Sequence, residues 1–371
     1  MVGPVPPGTN ENFDVTFYDT SAGGMNPNGI PGTLLCTNVP APLVGSQWVG
    51  HCVTSFDTIG THVLVASSGT APDIVITTDE LDEEVTAPVA FDANQFALTG
   101  SWYNPATSGQ GLELQVYPDW NGAGDGLLFG GWFTYDTQGN QQWVTLQGNL
   151  AASHGASYDL GIYLNTGGTF DAPPITTAVA DGTATLTFYD CTDAALTYSF
   201  TDGRSGTIPY VRLSNTTGCS SADPAVTPMP LPANYNDVLH SGAWYNPATS
   251  GQGMNVDIIP SQTTFFATWY TYAPLAVSGA ETGLAGQRWF SLQSNAYTPG
   301  DLTLADVPIY SNTGGIFNQP SAVTSTQVGT ANIAFISCTA MTLDYTFTAG
   351  EFSGLSGSID EQSAAAPPGC Q

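Results

Sequence analysis

Short runs in which apolar and polar residues alternate, broken by Gly, Asn, Asp and Pro, fill most of this chain, and helical periodicity is nearly absent. Gly111-Leu-Glu-Leu-Gln-Val-Tyr117 alternates cleanly, as a strand with one face on a core does. Further strands are predicted in Leu127-Leu-Phe-Gly-Gly-Trp-Phe-Thr-Tyr135, Gln142-Trp-Val-Thr-Leu146, Ala184-Thr-Leu-Thr-Phe188, Leu196-Thr-Tyr-Ser-Phe200 and Ile208-Pro-Tyr-Val-Arg212. Asp136-Thr-Gln-Gly139 reads as a hairpin turn between two of them. About six to eight strands in roughly 120 residues predict an antiparallel β-barrel or sandwich.

The pattern occurs twice. Gly100-Ser-Trp-Tyr-Asn-Pro-Ala-Thr-Ser-Gly-Gln-Gly111 returns as Gly242-Ala-Trp-Tyr-Asn-Pro-Ala-Thr-Ser-Gly-Gln-Gly253, with one residue changed. Trp132-Phe-Thr-Tyr135 then answers to Trp269-Tyr-Thr-Tyr272, Trp143 to Trp289, Asn165-Thr-Gly-Gly168 to Asn312-Thr-Gly-Gly315, and Cys191 to Cys338. The fold expected is therefore all-β: a short first domain over 1–78, an acidic linker over 79–98, and two homologous barrel or sandwich domains over 99–220 and 239–371. A Pro-rich linker over 221–238 joins the two copies. Its four prolines, from Pro224 to Pro232, predict a stiff extended spacer. A module carried twice favours binding over catalysis.

Composition narrows the partners. Thirty-one acidic residues face only Arg204, Arg212 and Arg288, and the net charge is -28. Such a surface repels nucleic acid and anionic membranes. No apolar run reaches the roughly 20 residues that span a bilayer. Met1-Val-Gly-Pro-Val-Pro-Pro7 lacks the features of a signal peptide, so a secreted protein would be present here in mature or trimmed form. The acid excess is first of all solubilising, with Ca²⁺ as a possible cofactor of the Asp79 to Glu84 run or of the loop Asp119-Trp-Asn-Gly-Ala-Gly-Asp125.

Six cysteines fall into local pairs, Cys36/Cys52, Cys191/Cys219 and Cys338/Cys370, the last two at equivalent places in the repeats. Of the fifteen connectivities possible, domain modularity selects this one. Three local disulfides imply an oxidising compartment, hence an extracellular or cell-surface location.

Three resemblances add to this reading. Val15-Thr-Phe-Tyr-Asp19, Gly32-Thr-Leu-Leu-Cys36, Gly50-His-Cys-Val-Thr54 and Gly60-Thr-His-Val-Leu-Val-Ala66 resemble bacterial Ig-like repeats over residues 14–70. The opening strands of that family have no counterpart, which implies a truncated unit or one completed by a strand from elsewhere. The twin motif Gly-x-Trp-Tyr-Asn-Pro-x-x-Ser-Gly-x-Gly resembles a domain of secreted proteobacterial proteins, and this likeness implies export but no particular activity. A weaker similarity to avidins and other calycins implies that Arg212 packs on Trp102 to close one end of a barrel; the second repeat departs from it, with Asp360 aligned opposite Arg212.

Asn104, Pro105, Gly109 and Gly111 are turn-forming residues, but a turn does not demand Ser108 or Gln110, which recur as Ser250 and Gln252. Together with Trp132, Tyr135 and Trp143, mirrored by Trp269, Tyr272 and Trp289, they are the candidate ligand-binding residues: amides and hydroxyls over aromatic platforms suit a glycan. The competing reading makes them loop caps and core. No nucleophile elbow, zinc helix or phosphate loop is present, so no enzyme is expected. The function expected is a non-catalytic glycan-binding or adhesive surface protein. The alternatives are a subunit of an extracellular fibre or coat that pairs with its own copies, and a hydrolase accessory or catalytic module.

Overall fold

Alternation at period two becomes strand wherever the chain is described. The computed structural model describes residues 13–19, 33–41, 43–44, 47–48, 60–68, 81–85, 91–151, 156–213, 218–220, 235–274 and 283–365. The chain forms two units, Met1–Val89 and Ala90–Gln371. In the first, β1 (Phe13–Asp19), β2 (Thr33–Ala41), β5 (Gly60–Ser68) and β6 (Leu81–Val85) make one antiparallel sheet in the order β2-β1-β5-β6, and β3 (Leu43–Val44) pairs with β4 (Gln47–Trp48). The acidic stretch expected to be a tether supplies β6, whose residues pair with 60–64 of β5. Cys36 lies on β2, and Cys52 falls outside the described residues.

The second unit holds two closed eight-stranded barrels. Barrel one runs β7 (Gly100–Tyr103), β8 (Gly111–Gly122), β9 (Asp125–Tyr135), β10 (Gln141–Ala151), β11 (Ser157–Asn165), β12 (Ala178–Phe188), β13 (Asp193–Phe200) and β14 (Ser205–Arg212). After the short helix α1 (Tyr235–Val238), barrel two repeats the order with β15 (Gly242–Tyr245), β16 (Gly253–Ile259), β17 (Thr264–Tyr272), β18 (Gln287–Ser294), β19 (Thr303–Thr313), β20 (Thr324–Ser337), β21 (Ala340–Phe347) and β22 (Ser356–Ser363). Each strand pairs with its sequence neighbours and the last closes on the first, so neither barrel has an open edge.

Inward positions are apolar as the pattern requires: Leu112, Leu114 and Val116 of β8 enter core one, and Met254, Val256 and Ile258 of β16 enter core two. Residues 91–98, placed in a linker by composition, instead belong to barrel one, where Phe91, Ala93 and Leu98 are core. Trp102 Nε1 donates to Leu98 O at 3.2 Å. The Arg212 guanidinium stands 5.3 Å from the Trp102 ring and donates to Ala97 O and Thr99 O, the arrangement the calycin likeness implies. In barrel two Trp244 Nε1 donates to His240 O at 3.0 Å in the same way.

Register corrects one alignment. Tyr198 faces Gly206 and Tyr345 faces Gly357, so Ser205-Gly206 matches Ser356-Gly357. Trp102 is paired with Arg212 and Trp244 with Ser363. Ser363, not Asp360, therefore stands where Arg212 does, and the inward neighbour of Asp360, Glu361, matches Tyr210.

The Cys191–Cys219 disulfide is formed. Cys338 is disulfide-bonded, and its expected partner Cys370 lies outside the described residues. Among the described residues no helix is long and apolar enough to cross a membrane.

Candidate functional site

The outward side chains of a barrel ordinarily meet water, and alternation then gives one buried and one exposed face. On β8 and β16 both faces are buried from Gly111 to Tyr117 and from Gly253 to Ile259. What covers the outer face is the other barrel. The seam is built from reciprocal pairs, as a two-fold interface between like subunits would be. Trp143 Nε1 donates to Thr271 O (3.2 Å), and Trp289 Nε1 to Thr134 O (3.1 Å). Gln287 Nε2 donates to the carbonyls of Trp143 and Asn165, and Gln141 Nε2 to those of Trp289 and Asn312. Between them Phe133, Tyr135, Trp143, Tyr270, Tyr272 and Trp289 form a third apolar cluster.

Each barrel also plugs its neighbour. The loop after Asn165-Thr-Gly-Gly168 carries Phe170 into core two, with ring centres 5.4 Å from Trp269 and 4.8 Å from Phe352. The loop after Asn312-Thr-Gly-Gly315 carries Phe317 into core one, 5.6 Å from both Trp132 and Tyr198. Close approach explains the glycines: a Cβ on Gly168 would overlap the Tyr272 ring, and one on Gly315 the Tyr135 ring.

These crossings account for the duplicated glutamines. Gln110 Oε1 accepts from Thr134 Oγ1 (2.6 Å) and from Asn318 N (3.2 Å), while its Nε2 donates to Ile316 O (3.1 Å). Gln252 Oε1 accepts from Thr271 Oγ1 (2.7 Å) and Asp171 N (3.2 Å), and its Nε2 donates to Thr169 O (2.9 Å). Each glutamine is the receptor for the other barrel's plug. Both Asn-Pro loops adopt one conformation, with Asn104 and Asn246 accepting from the backbone two residues on. Gly109 and Gly251 have φ of +91° and +100°. Gly111 and Gly253 do not have positive φ; glycine is needed there because a Cβ would collide with the carbonyls of Trp102 and Trp244.

The expected site residues thus do not meet on one shallow surface in each repeat. Trp132 and Trp269 are barrel interior; Tyr135, Trp143, Tyr272 and Trp289 are seam; all six are at most 2% exposed. Gln110 is buried beneath the plug, and Ser108 is exposed with Ser250 half-buried. Trp143 of the first repeat does meet Ser250 and Gln252 of the second, in a cleft of about 460 Å³ on one flank of the seam. Sequence reasoning missed the remainder of its wall: Phe129, Tyr163 and Tyr245, all half-exposed, the amides Gln147, Asn165 and Asn255, and the rings of Trp244 and Tyr270. The signal that could have found the crossing loops is the Phe five residues after each of Asn165 and Asn312.

None of the eighteen residues lining the cleft is Asp, Glu, Lys, Arg or His. Asn255 is 2% exposed; its Nδ2 donates to Glu113 O at 3.0 Å and its Oδ1 has no hydrogen-bond partner. Behind it burial, then the nearby Asp257, pushes the Glu113 carboxyl well above its ordinary range, against a hydrogen bond from Ser101 and the charge of Arg212. Burial and Glu113 likewise hold the Tyr270 hydroxyl protonated.

Among the described residues no three His, Cys, Asp or Glu side chains gather as a metal-binding group. In the Asp119–Asp125 loop, Asp119 closes its own hairpin, accepting from Asn94 Nδ2 and Gly124 N. The side chains of the Asp79 to Glu84 run lie outside the described residues. No protein-family model, no curated protein and no solved structure matches this chain.

Proposed function

We propose that this chain is an exported, non-catalytic binding protein whose ligand is a neutral glycan held in the seam cleft. The observation that carries the reading is an uncharged, aromatic and amide-lined cleft in a chain of net charge -28. Sugars pair apolar CH faces with hydroxyls, and such ligands need ring platforms beside a few fixed donors and acceptors. Tyr163, Tyr245 and Phe129 offer the platforms; Gln147, Ser250 and the free Oδ1 of Asn255 offer polar partners. A sulfated or uronic glycan would meet repulsion from the acidic surroundings. The Cys191–Cys219 bond is consistent with an oxidising, extracellular setting.

The fibre-subunit alternative draws support from the first unit, whose described strands form an open four-stranded sheet, whereas both barrels lack edges to share. A glycan array followed by titration calorimetry tests the preferred reading. Tyr163→Ala and Tyr245→Ala are each expected to weaken binding about 10-fold, ~1.4 kcal/mol. Their counterparts Tyr310→Ala and Tyr103→Ala, outside the cleft, are expected to leave affinity unchanged. Failure of the wild-type protein to bind any neutral glycan would end the proposal, and self-assembly in light scattering without ligand would move the fibre reading ahead.

A further inference from the structure

The two plugs are alike in backbone and unlike in charge. At the mouth of barrel one the residue after Phe317 is Asn318, the facing strands supply Tyr198 and Tyr210, and the Arg204 guanidinium lies 4.7 Å from the Phe317 ring. At the mouth of barrel two the equivalent positions are Asp171, Tyr345 and Glu361. Asp171 and Glu361 line one small cavity together with uncharged Asn246, Thr249, Gln252, Gly253, Trp269 and Ile359. Glu361 is 4% exposed and its Oε2 has no hydrogen-bond partner. The titratable groups facing it are Asp171 from the plug loop and, bonded to Asp171 Oδ2 at 2.9 Å, the hydroxyl of Tyr345 from β21. The described arginines bond elsewhere: Arg204 to Asp202, Arg212 to Ala97 and Thr99, Arg288 to Glu351.

We propose that the Phe170 loop is a proton-operated latch on the seam cleft: a protonated Glu361 lets Asp171 sit beside it, and ionisation of both carboxylates unseats the loop from barrel two. The expected direction agrees with the local chemistry, since burial and then Asp171 push the Glu361 carboxyl up to about 8, and burial raises Asp171 as well. The consequence for the cleft rests on the glycan reading above, but the connection is structural. Asn165, at one stem of the loop, and Ala178, past the other, line the cleft, and Gln252 holds the tip while facing the cleft. Thr176 N donates to Ser250 O at 3.0 Å, and Tyr272 Oη reaches Thr176 Oγ1 at 3.3 Å. Lifting Phe170 and Asp171 therefore releases Gln252 and Ser250, two residues of the cleft wall, from the loop that holds them. The Phe317 loop, with no carboxylate at its tip, stays seated and serves as an internal control.

Hydrogen exchange by mass spectrometry on the full chain from pH 6 to 9, corrected for intrinsic exchange rates, tests the latch. Opening of residues 165–178 is expected to rise at least tenfold across this range while 312–324 stay constant. Glu361→Gln should abolish the rise; Asp171→Asn, on the half-buried loop side, should do so without altering the barrel wall. Equal opening of both loops, no opening, or a rise that survives both substitutions would overturn the proposal. Titrations with a neutral oligosaccharide at pH 6 and 9 separate the two ideas. Opening without glycan binding at either pH sinks the glycan reading and leaves the latch standing. Opening with binding that ignores pH sinks the link between latch and cleft.

Discussion

Barrel one and barrel two share strand order, closure, the Asn-Pro loop and the exchanged phenylalanine, yet their mouths have diverged from a stacked arginine to a pair of carboxylates. The shared part is what the crossing requires: a glycine beside a facing tyrosine, a phenylalanine to fill the core, a glutamine to hold the loop. The divergent part lies where the crossing tolerates any residue of suitable size. Duplication has preserved the mechanical joint and left its electrostatics free to differ. This separates residues that keep the body together from residues that set its response to the medium.

The largest effect should come from removing a plug. Phe170→Ala and Phe317→Ala each delete a buried ring, which costs about 3–5 kcal/mol. The informative result is where the damage appears: Phe170 belongs to barrel one's chain segment but fills core two, so exchange protection should fall in β17 and β21 before β9 and β13. Loss confined to barrel one would break the exchanged-plug account.

The mouths should next separate by pH. Glu361 keeps its proton in the folded state up to about 8, while in the unfolded chain it is lost near its ordinary 4.5. Its folded pKa is raised, so the stabilising situation holds below 4.5 and stability falls as pH climbs toward 8, by up to ~1.4 kcal/mol per pH unit. Urea midpoints at pH 5 and 8 should converge in Glu361→Gln. Glu113, raised in the same direction, leaves a residual slope. Tyr210→Phe, at the matching place in barrel one, should leave the pH profile as it is in the wild type.

Smaller still is the clash at the seam. Gly168→Ala and Gly315→Ala should each cost ~1–3 kcal/mol, since the new methyl meets the Tyr272 or Tyr135 ring in a packed interface. Equal thermal midpoints for variant and wild type would mean that the seam yields more readily than its burial implies.

The barrels were legible because alternation survives in β8, β9, β10, β12, β13 and β14, each of which contains a segment read from the sequence. The seam was not, because period two distinguishes two faces without saying that both are covered. Glu113, Gln115, Asn255 and Asp257 look like solvent-facing positions of half-buried strands and are each buried against the other copy. The recurrence of Gln110 and Gln252 correctly marked residues beyond turn-making, but their partner was the other repeat. Trp132 and Trp143 carry the same residue name and opposite fates, one inside a barrel and one outside it, because they fall on strand positions of opposite parity relative to their cores. Linker limits differ for a related reason: Phe91, Ala93, Ala97 and Leu98 sit in a stretch that begins acidic, and composition averaged over it hides these core residues.

The smallest predicted effect tests the mouth of barrel one alone. Arg204 stacks 4.4 Å from Phe200 and 4.7 Å from Phe317, so its cation rests on the plug and on the wall that receives it. It is also paired with Asp202 at 2.7 Å, with side-chain exposures of 21% and 51%, and an ion pair that open to water contributes little. A cation over aromatic faces at a partly exposed site is worth about 0.5–1 kcal/mol. Arg204→Gln should therefore lower stability by about that amount, and Arg204→Lys, which keeps charge but loses the planar stack, should recover only part of it. Asp202→Asn separates the two contributions, because it removes the ion pair and leaves the stack. If Asp202→Asn costs as much as Arg204→Gln, the arginine acts through its carboxylate, and the plug in barrel one is held by packing and Gln110 without help from charge.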